Sequence, residues 1–332
     1  MTPRLTDRSP RLDPAELVTA LVPPPRFDAV RFETYDPDPD QPTQPAAVAR
    51  LQEFAATVGA RRRSLFSRTP TGPSGVYRDG GFGVGKTHLL AALWHLAPAP
   101  KAFGTFVEYT NLVGALGFAA AVDALSGHSL VCIDEFELDD PGDTVLMSTL
   151  LARLTSAGVR IAATSNTLPD ALGEGRFAAD DFLREIQVLA KRFEIVRVDG
   201  QDYRHRGLPD APEPLPLEQA QQWAAATDGA TCDDLDDLCD HLAGLHPSRY
   251  GALVEGVPAV ALTGLHPVDD QNVALRLVVL VDRLYDREVP VTVSGAPASS
   301  LFTPELLAGG YRKKYLRSTS RLVALAREGQ SA

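Results

Sequence analysis

Gly80-Gly81-Phe82-Gly83-Val84-Gly85-Lys86-Thr87 fits the pattern G-x-x-x-x-G-K-[ST] of a phosphate-binding loop. A strand-like run, Gly75-Val76-Tyr77-Arg78, precedes it. A run free of Gly and Pro, His88 to Leu96, follows it and reads as a helix. Strand, Gly-rich turn and helix is the geometry this chemistry needs. The glycines let consecutive backbone N–H groups curl around phosphate oxygens, and the helix N-terminus adds its dipole. The loop residues Gly80 to Thr87, with His88 after them, are therefore the candidate nucleotide contacts. Lys86 supplies a point charge for the β- and γ-phosphates, and Thr87 a hydroxyl for Mg²⁺.

Working outward, the next apolar run, Leu130-Val131-Cys132-Ile133, ends in Asp134-Glu135. This is the Walker B pattern. Asp134 at a strand end suits the Mg²⁺ shell, and Glu135 suits polarisation of the attacking water. An acid pair at this point marks the ATPase branch that inserts a strand between the P-loop strand and the Walker B strand. The strand after it ends in Thr164-Ser165-Asn166. A polar residue there sits between the two motifs, within reach of the γ-phosphate and the water, and Asn166 is the candidate. There is no Asn-Lys-x-Asp, which argues against guanine specificity. Glu135 beside Asp134 favours water over a small-molecule hydroxyl as the acceptor.

The rest of the chain alternates. Residues 46–59 read as a helix, 104–109 as a strand, 111–126 as helical, and 142–157 as a helix. Residues 159–164 read as a buried strand, 179–192 as a helix and 193–198 as a strand. Such alternation means a parallel sheet covered by helices on both faces. The fold class is thus α/β, a P-loop NTPase core with a C-terminal α/β extension. Residues 208–250 carry nine acidic residues against a single arginine, Arg249, and open with the linker-like prolines Pro209, Pro212, Pro214 and Pro216. Beyond them come a strand near 257–262, a helix near 271–285 and a strand near 289–293. The end is a basic helix with Arg312, Lys313, Lys314, Arg317, Arg321 and Arg327. Three regions follow: 1–45, rich in Pro and Asp and read as extended; 46–207, the ATPase core; and 208–332, the α/β extension. Within the first, Phe32 and Tyr35 are candidates to pack on an adenine ring or on the core.

The chain has 332 residues, 44% hydrophobic and 23% charged, with a net charge of −11 at pH 7. That charge argues against general nucleic-acid binding. Cys132, Cys232 and Cys239 include no Cys-x-x-Cys, so neither a disulfide framework nor a zinc site is expected, and a reducing cytosol suits them. No apolar run approaches 18 residues, so no membrane span is expected. The short run Leu17 to Val22 ends in three prolines and lacks a signal-peptide pattern.

Asp134-Glu135-Phe136-Glu137-Leu138-Asp139-Asp140, Ala163-Thr164-Ser165-Asn166 with Pro169, Arg176-Phe177, Asp202-Tyr203-Arg204, Leu284-Tyr285-Asp286 and Thr319-Ser320-Arg321-Leu322 together resemble the ZapE family, cell division proteins and their mitochondrial relatives of the AAA+ class. The matches run from Pro25-Arg26-Phe27 to Arg321-Leu322. The chain departs at Ala274-Leu275-Arg276-Leu277, where the family usually has Ala-Arg-Arg-Phe. The resemblance implies an AAA+ ATPase that uses Mg²⁺ and ATP, works through conformational change and assembles as a nucleotide-dependent homo-oligomer. Arg176, in the family's Arg-Phe element, becomes the candidate arginine finger acting on a neighbouring subunit. Arg276 is a candidate nucleotide-sensing residue, and Arg204 reads as structural. The implied role is remodelling or regulation of a protein partner in cell division, the tubulin-like division protein being the expected partner. The implied location is cytoplasmic, with peripheral contact at the inner face of the membrane left open through the basic terminal helix. The alternative is a nucleic-acid-directed ATPase of the helicase-loader kind.

Overall fold

The computed structural model describes residues 2–10, 14–59, 75–80, 84–136, 141–165, 191–200 and 211–331. It divides into two compact units. One comprises Asp13–Pro23 and Phe27–Arg206, the other Met1–Leu12, Pro24–Arg26 and Gly207–Ala332.

The first unit is built on five parallel strands: β1 (Gly75–Asp79), β2 (Lys101–Thr105), β3 (Leu130–Asp134), β4 (Arg160–Ser165) and β5 (Phe193–Arg197). Their order across the sheet is β2-β3-β4-β1-β5. The strand expected between the P-loop strand and the Walker B strand is therefore β4, which pairs in parallel with both. Alternating residues feed two cores. Val76, Cys132 and Ala162 face one, with α2 (Thr43–Thr57) and α3 (Lys86–Leu96). Tyr77, Val131, Ile133 and Ile161 face the other, with α4 (Phe106–Leu116), α5 (Phe118–Ser126) and α6 (Pro141–Ala157). A strand buried on both faces has to be apolar throughout, and β3 is buried along its whole length.

Helix identity follows the same logic. In α2, Ala47, Leu51, Phe54 and Ala55 form the buried stripe, at helical spacing. The strand expected over 104–109 is shorter than its alternation suggests. β2 stops at Thr105, and Phe106 to Tyr109 begin α4. Thr105 caps that helix: its Oγ1 accepts from Glu108 N–H, while the Glu108 carboxylate accepts from Thr105 N–H at 2.7 Å. This capping box overrides the period-two pattern. The helical stretch 111–126 is broken by Gly117 at φ +79°, which separates α4 from α5. The N-terminal region read as extended holds a short helix, α1 (Pro14–Thr19), and three single-turn helices. The expected helix over 179–192 lies almost wholly outside the described residues.

The second unit holds three parallel strands, β6 (Thr231–Asp234), β7 (Val260–Leu265) and β8 (Val291–Gly295), in that order. β6 lies inside the acidic stretch and was not expected from the sequence. The strands foreseen near 257–262 and 289–293 begin two or three residues later than expected. Both sheet edges are covered: Cys232 N–H donates to Pro3 O at 3.0 Å, and Leu215 N–H donates to Val293 O at 2.8 Å. Helix Gln271–Asp286 buries Ala274, Leu277, Val278, Val281 and Leu284 against one sheet face. The small side chains Ala224, Ala259 and Ala261 let helix Leu217–Ala226 approach the other.

The basic terminal helix, Arg312–Ser331, is not a uniformly solvated basic face. Arg317 and Arg321 turn inward and share Asp282, at 2.8 and 2.5 Å. Arg321 and Arg26 also sit over the Tyr285 ring. Burial pulls the Asp282 carboxyl upward in pKa, but Arg317 and Arg321 outweigh it and hold the group below its ordinary value. Among the described residues, no helix is long and apolar enough to cross a membrane.

Candidate functional site

Among the described candidates, Gly80, Val84 to His88, Asp134 and Glu135 lie at the carboxyl end of the five-stranded sheet, where α/β proteins place their ligands. β1 delivers the chain into the Gly-rich loop, and α3 starts at Lys86 with Gly85 before it at φ +83°. That left-handed conformation favours glycine. Gly80 is confined for another reason: a Cβ there would lie 2.1 Å from Val198 O. Gly81, Phe82 and Gly83 lie outside the described residues, as do Asn166 and Arg176.

Lys86 Nζ donates to Gly80 O at 2.8 Å, so the ammonium folds back over the loop it terminates. Thr87 Oγ1 donates to Asp134 Oδ2 at 2.9 Å. This bond joins the first turn of α3 to the end of β3. The other carboxylate oxygen, Oδ1, accepts from Thr164 Oγ1 of β4. Asp134 is only 7% exposed, so a hydroxyl on each oxygen is what makes its burial tolerable. Glu135 follows at φ +54°, a conformation that costs a non-glycine residue about 1–3 kcal/mol and clusters at functional sites. Phe136 comes next and is fully buried, edge-on to Phe106 and Tyr77. The strand end is therefore pinned on one side by an aromatic core and on the other by threonine hydroxyls.

A second layer supports β3. The buried Tyr109 hydroxyl donates to Cys132 O at 3.0 Å, and burial holds that phenol well above its ordinary pKa, in the neutral donor form. At the far end of α3, Lys101 Nζ donates to His95 O and Ala97 O, satisfying carbonyls that a helix C-terminus leaves open. Burial lowers the Lys101 pKa.

The N-terminal turn covers the other side of the loop. Phe32 joins the apolar core beside α2 and α3. Tyr35 packs against the same core and also lies on the loop: its hydroxyl donates to Val84 O at 3.0 Å, and its ring would collide with a Cβ on Gly85 at 2.6 Å. His88 meets the Tyr35 ring edge-on, and its Nε2 lies 3.2 Å from both Thr34 Oγ1 and Arg31 O. These bonds occupy His88 with packing the N-terminal turn onto α3. Sequence reasoning missed the Thr164 hydroxyl. Its signal was the polar run Thr164-Ser165-Asn166 at the end of an apolar strand, of which only Asn166 drew notice. Arg276 lies in helix Gln271–Asp286 of the second unit, half-buried near Tyr250.

The donor set has a clear chemical character. A hydroxyl and a carboxylate oxygen 2.9 Å apart are hard ligands, suited to Mg²⁺ held by one carboxylate, one hydroxyl and substrate phosphates. Among the described residues no group of three or more His, Cys, Asp or Glu forms an all-protein metal cage.

Comparison with known proteins gives a family. A model described as AFG1-like ATPase matches residues 13–228 and 217–331. Cell division protein ZapE of Escherichia coli strain K12 is 28% identical over 237 residues, which cover 66% of this chain and 57% of that protein. Lactation elevated protein 1 homolog B of Danio rerio is 26% identical over 233 residues, 58% of this chain and 45% of that protein. The chain thus spans about half the length of the curated relatives it matches. Among solved structures, a replication initiator DnaA bound to AMPPCP and single-stranded DNA aligns over 92% of each chain with a TM-score of 0.41 at 12% identity.

Proposed function

The chain belongs to the AFG1-like ATPase family, and on that premise we propose that it binds Mg²⁺–ATP at the carboxyl end of the five-stranded sheet and hydrolyses it. One observation carries the reading. The Thr87–Asp134–Thr164 hydrogen-bond chain ties the P-loop helix, the Walker B strand and the inserted strand into one site. Lys86 leaves Gly80 O to meet the β- and γ-phosphates. Thr87 and Asp134 would hold the metal, which would neutralise charge on the phosphate oxygens. Glu135 takes a proton from water as its oxygen attacks the γ-phosphorus; the bond to the β–γ bridging oxygen breaks, and ADP and phosphate leave. Asn166 orients the same water. Arg176 of a neighbouring subunit compensates the charge that develops on the γ-phosphoryl group, so hydrolysis depends on a homo-oligomer.

The output we propose is mechanical or regulatory, exerted on a protein partner. The name of one relative, cell division protein ZapE, supports a role in division; the tubulin-like division protein as the partner and a cytoplasmic location are our own proposals. The decisive test is Glu135→Gln. The amide keeps the shape and loses the base, so ATP should still bind while turnover falls roughly 10²–10⁴-fold. Wild-type turnover by the folded variant overturns the site. The same variant, holding ATP, serves as a trap for capturing the partner from cells, read by mass spectrometry. Stimulation of wild-type turnover by single-stranded DNA would favour the helicase-loader reading instead.

A further inference from the structure

Thr164 is 1% exposed and stands next to last in β4. The parallel ladder between β3 and β4 ends at Ile133 and Ala163. Beyond that point Thr164 continues the link between the two strands. Its Oγ1–H donates to Asp134 Oδ1, the same oxygen accepts Glu135 N–H at 3.1 Å, and its carbonyl accepts Phe136 N–H at 2.7 Å. Three consecutive residues are thereby gripped by one residue of the neighbouring strand. The middle one, Glu135, is the one in left-handed backbone. A β-branched side chain is stiff about χ1, so the hydroxyl cannot swing away cheaply. A valine has the same shape, so packing does not explain the hydroxyl.

We propose that Thr164 is a positioning residue for ATP hydrolysis, its single hydroxyl fixing the Asp134 carboxylate and the Glu135 backbone in one geometry. The inference rests on the ATPase reading above. Asp134 is held on Oδ1 by Thr164 and remains addressable on Oδ2, where Thr87 now sits. The Glu135 carboxylate is aimed by a backbone that Thr164 keeps from relaxing to ordinary φ.

The test compares Thr164→Val, which removes the hydroxyl and keeps the shape, with Thr164→Ser, which keeps the hydroxyl. Loss of such a supporting hydrogen bond typically costs roughly 10–100-fold. Thr164→Val should show that loss in kcat, with unchanged ATP affinity by calorimetry and a higher Mg²⁺ concentration for half-maximal activation. Thr164→Ser should turn over close to wild type. In a Glu135→Gln background, Thr164→Val should lower kcat by a smaller factor than in the wild type, because only the Asp134 carboxylate is left for it to position. A folded Thr164→Val enzyme with wild-type kcat, while Glu135→Gln is slow, overturns this inference and leaves the ATPase reading standing. Glu135→Gln at wild-type rate overturns the ATPase reading itself. Should Thr164→Val fail to fold, Thr164→Ala takes its place: a folded Thr164→Ala enzyme at wild-type kcat overturns the hydroxyl's role, and a slow one beside a fast Thr164→Ser supports it.

Discussion

Two buried aspartates sit at the carboxyl ends of parallel strands, one in each unit, and they are used differently. Asp134 ends β3 and is 7% exposed; Asp233 lies in β6 and is fully buried. Asp134 is held by side-chain hydroxyls, from Thr87 and Thr164. Asp233 is held mainly by backbone: Leu5 N–H and Thr6 N–H donate to it at 2.9 and 3.1 Å, with the Thr6 hydroxyl at 3.3 Å. The proton of the Thr87 hydroxyl can rotate toward an incoming phosphate and turn its oxygen to a cation, while Thr164 keeps Oδ1 fixed. A backbone N–H cannot rotate in this way. The same residue type in the same place is an addressable ligand in one unit and a clasp for the chain's first residues in the other. The occupants of its oxygens, not the aspartate, decide which.

Substituting both aspartates is the strongest way to break this comparison. Asp134→Ala should abolish most turnover: metal-held charge stabilisation is worth several kcal/mol, so the loss should reach at least about 10²-fold. Its unfolding midpoint should move little. Asp233→Ala should do the reverse. It orphans Leu5 N–H and Thr6 N–H, each costing about 1–3 kcal/mol when left buried, and urea denaturation should show that loss while the folded enzyme still hydrolyses ATP. If Asp233→Ala is as stable as wild type, the clasp is idle.

Asp282 sharpens the contrast, because it is balanced by charge rather than by neutral donors. Its pKa in the folded state lies below the ordinary carboxyl value, held there by Arg317 and Arg321 against the effect of burial. The stabilisation is therefore full above the unfolded value, near 3.9, and is lost as pH falls through the folded one. Asp282→Asn should be less stable than wild type at neutral pH, by less than the about 3–5 kcal/mol of a buried pair broken outright, since an amide oxygen still accepts from one arginine. The gap between the two proteins should close as pH drops below about 4. A gap independent of pH would mean that shape, not charge, holds that helix pair.

Much of the first unit was legible because its signals are local. The apolar runs of β3 and β4, buried on both faces, announce central parallel strands, and the Asp134-Glu135 pair announced the inserted strand that β4 supplies. What escaped notice depends on partners distant in sequence. β6 lies in the acidic stretch, where no strand is expected, yet it pairs with β7 and with Pro3 and buries Asp233 against Leu5 and Thr6. Arg317 and Arg321 read only as part of a basic terminal helix until Asp282, on another helix, is placed beside them. Thr164 reads as an ordinary strand former, because no pattern says which of two hydrogen-bonding residues at a strand tip will face the neighbouring carboxylate. At 104–109 the two local signals conflict: Thr105-x-x-Glu108 is a capping box inside a period-two alternation, and the capping box prevails.

The smallest effect belongs to Tyr35, where the two kinds of holding meet on one residue. Its hydroxyl donates to the Val84 carbonyl, and its ring lies against Gly85, so it braces the last two residues before Lys86. Tyr35→Phe keeps the ring and removes only the donor. Val84 is fully buried, so its carbonyl has little water to turn to. A net hydrogen bond of this kind contributes about 0.5–1.5 kcal/mol, which corresponds to roughly a 2- to 13-fold weakening of ATP affinity if the bond orders the loop for binding. Calorimetry at fixed Mg²⁺ reads this directly. Tyr35→Leu, which removes the ring as well, separates the two contributions: affinity lost only in the leucine variant assigns the work to the ring against Gly85 or the base. Equal losses in both assign it to the hydroxyl and the loop. ATP affinity unchanged in both would show that the N-terminal turn packs against the loop without tuning it, and that Tyr35, like Asp233, is there to hold the chain's beginning in place.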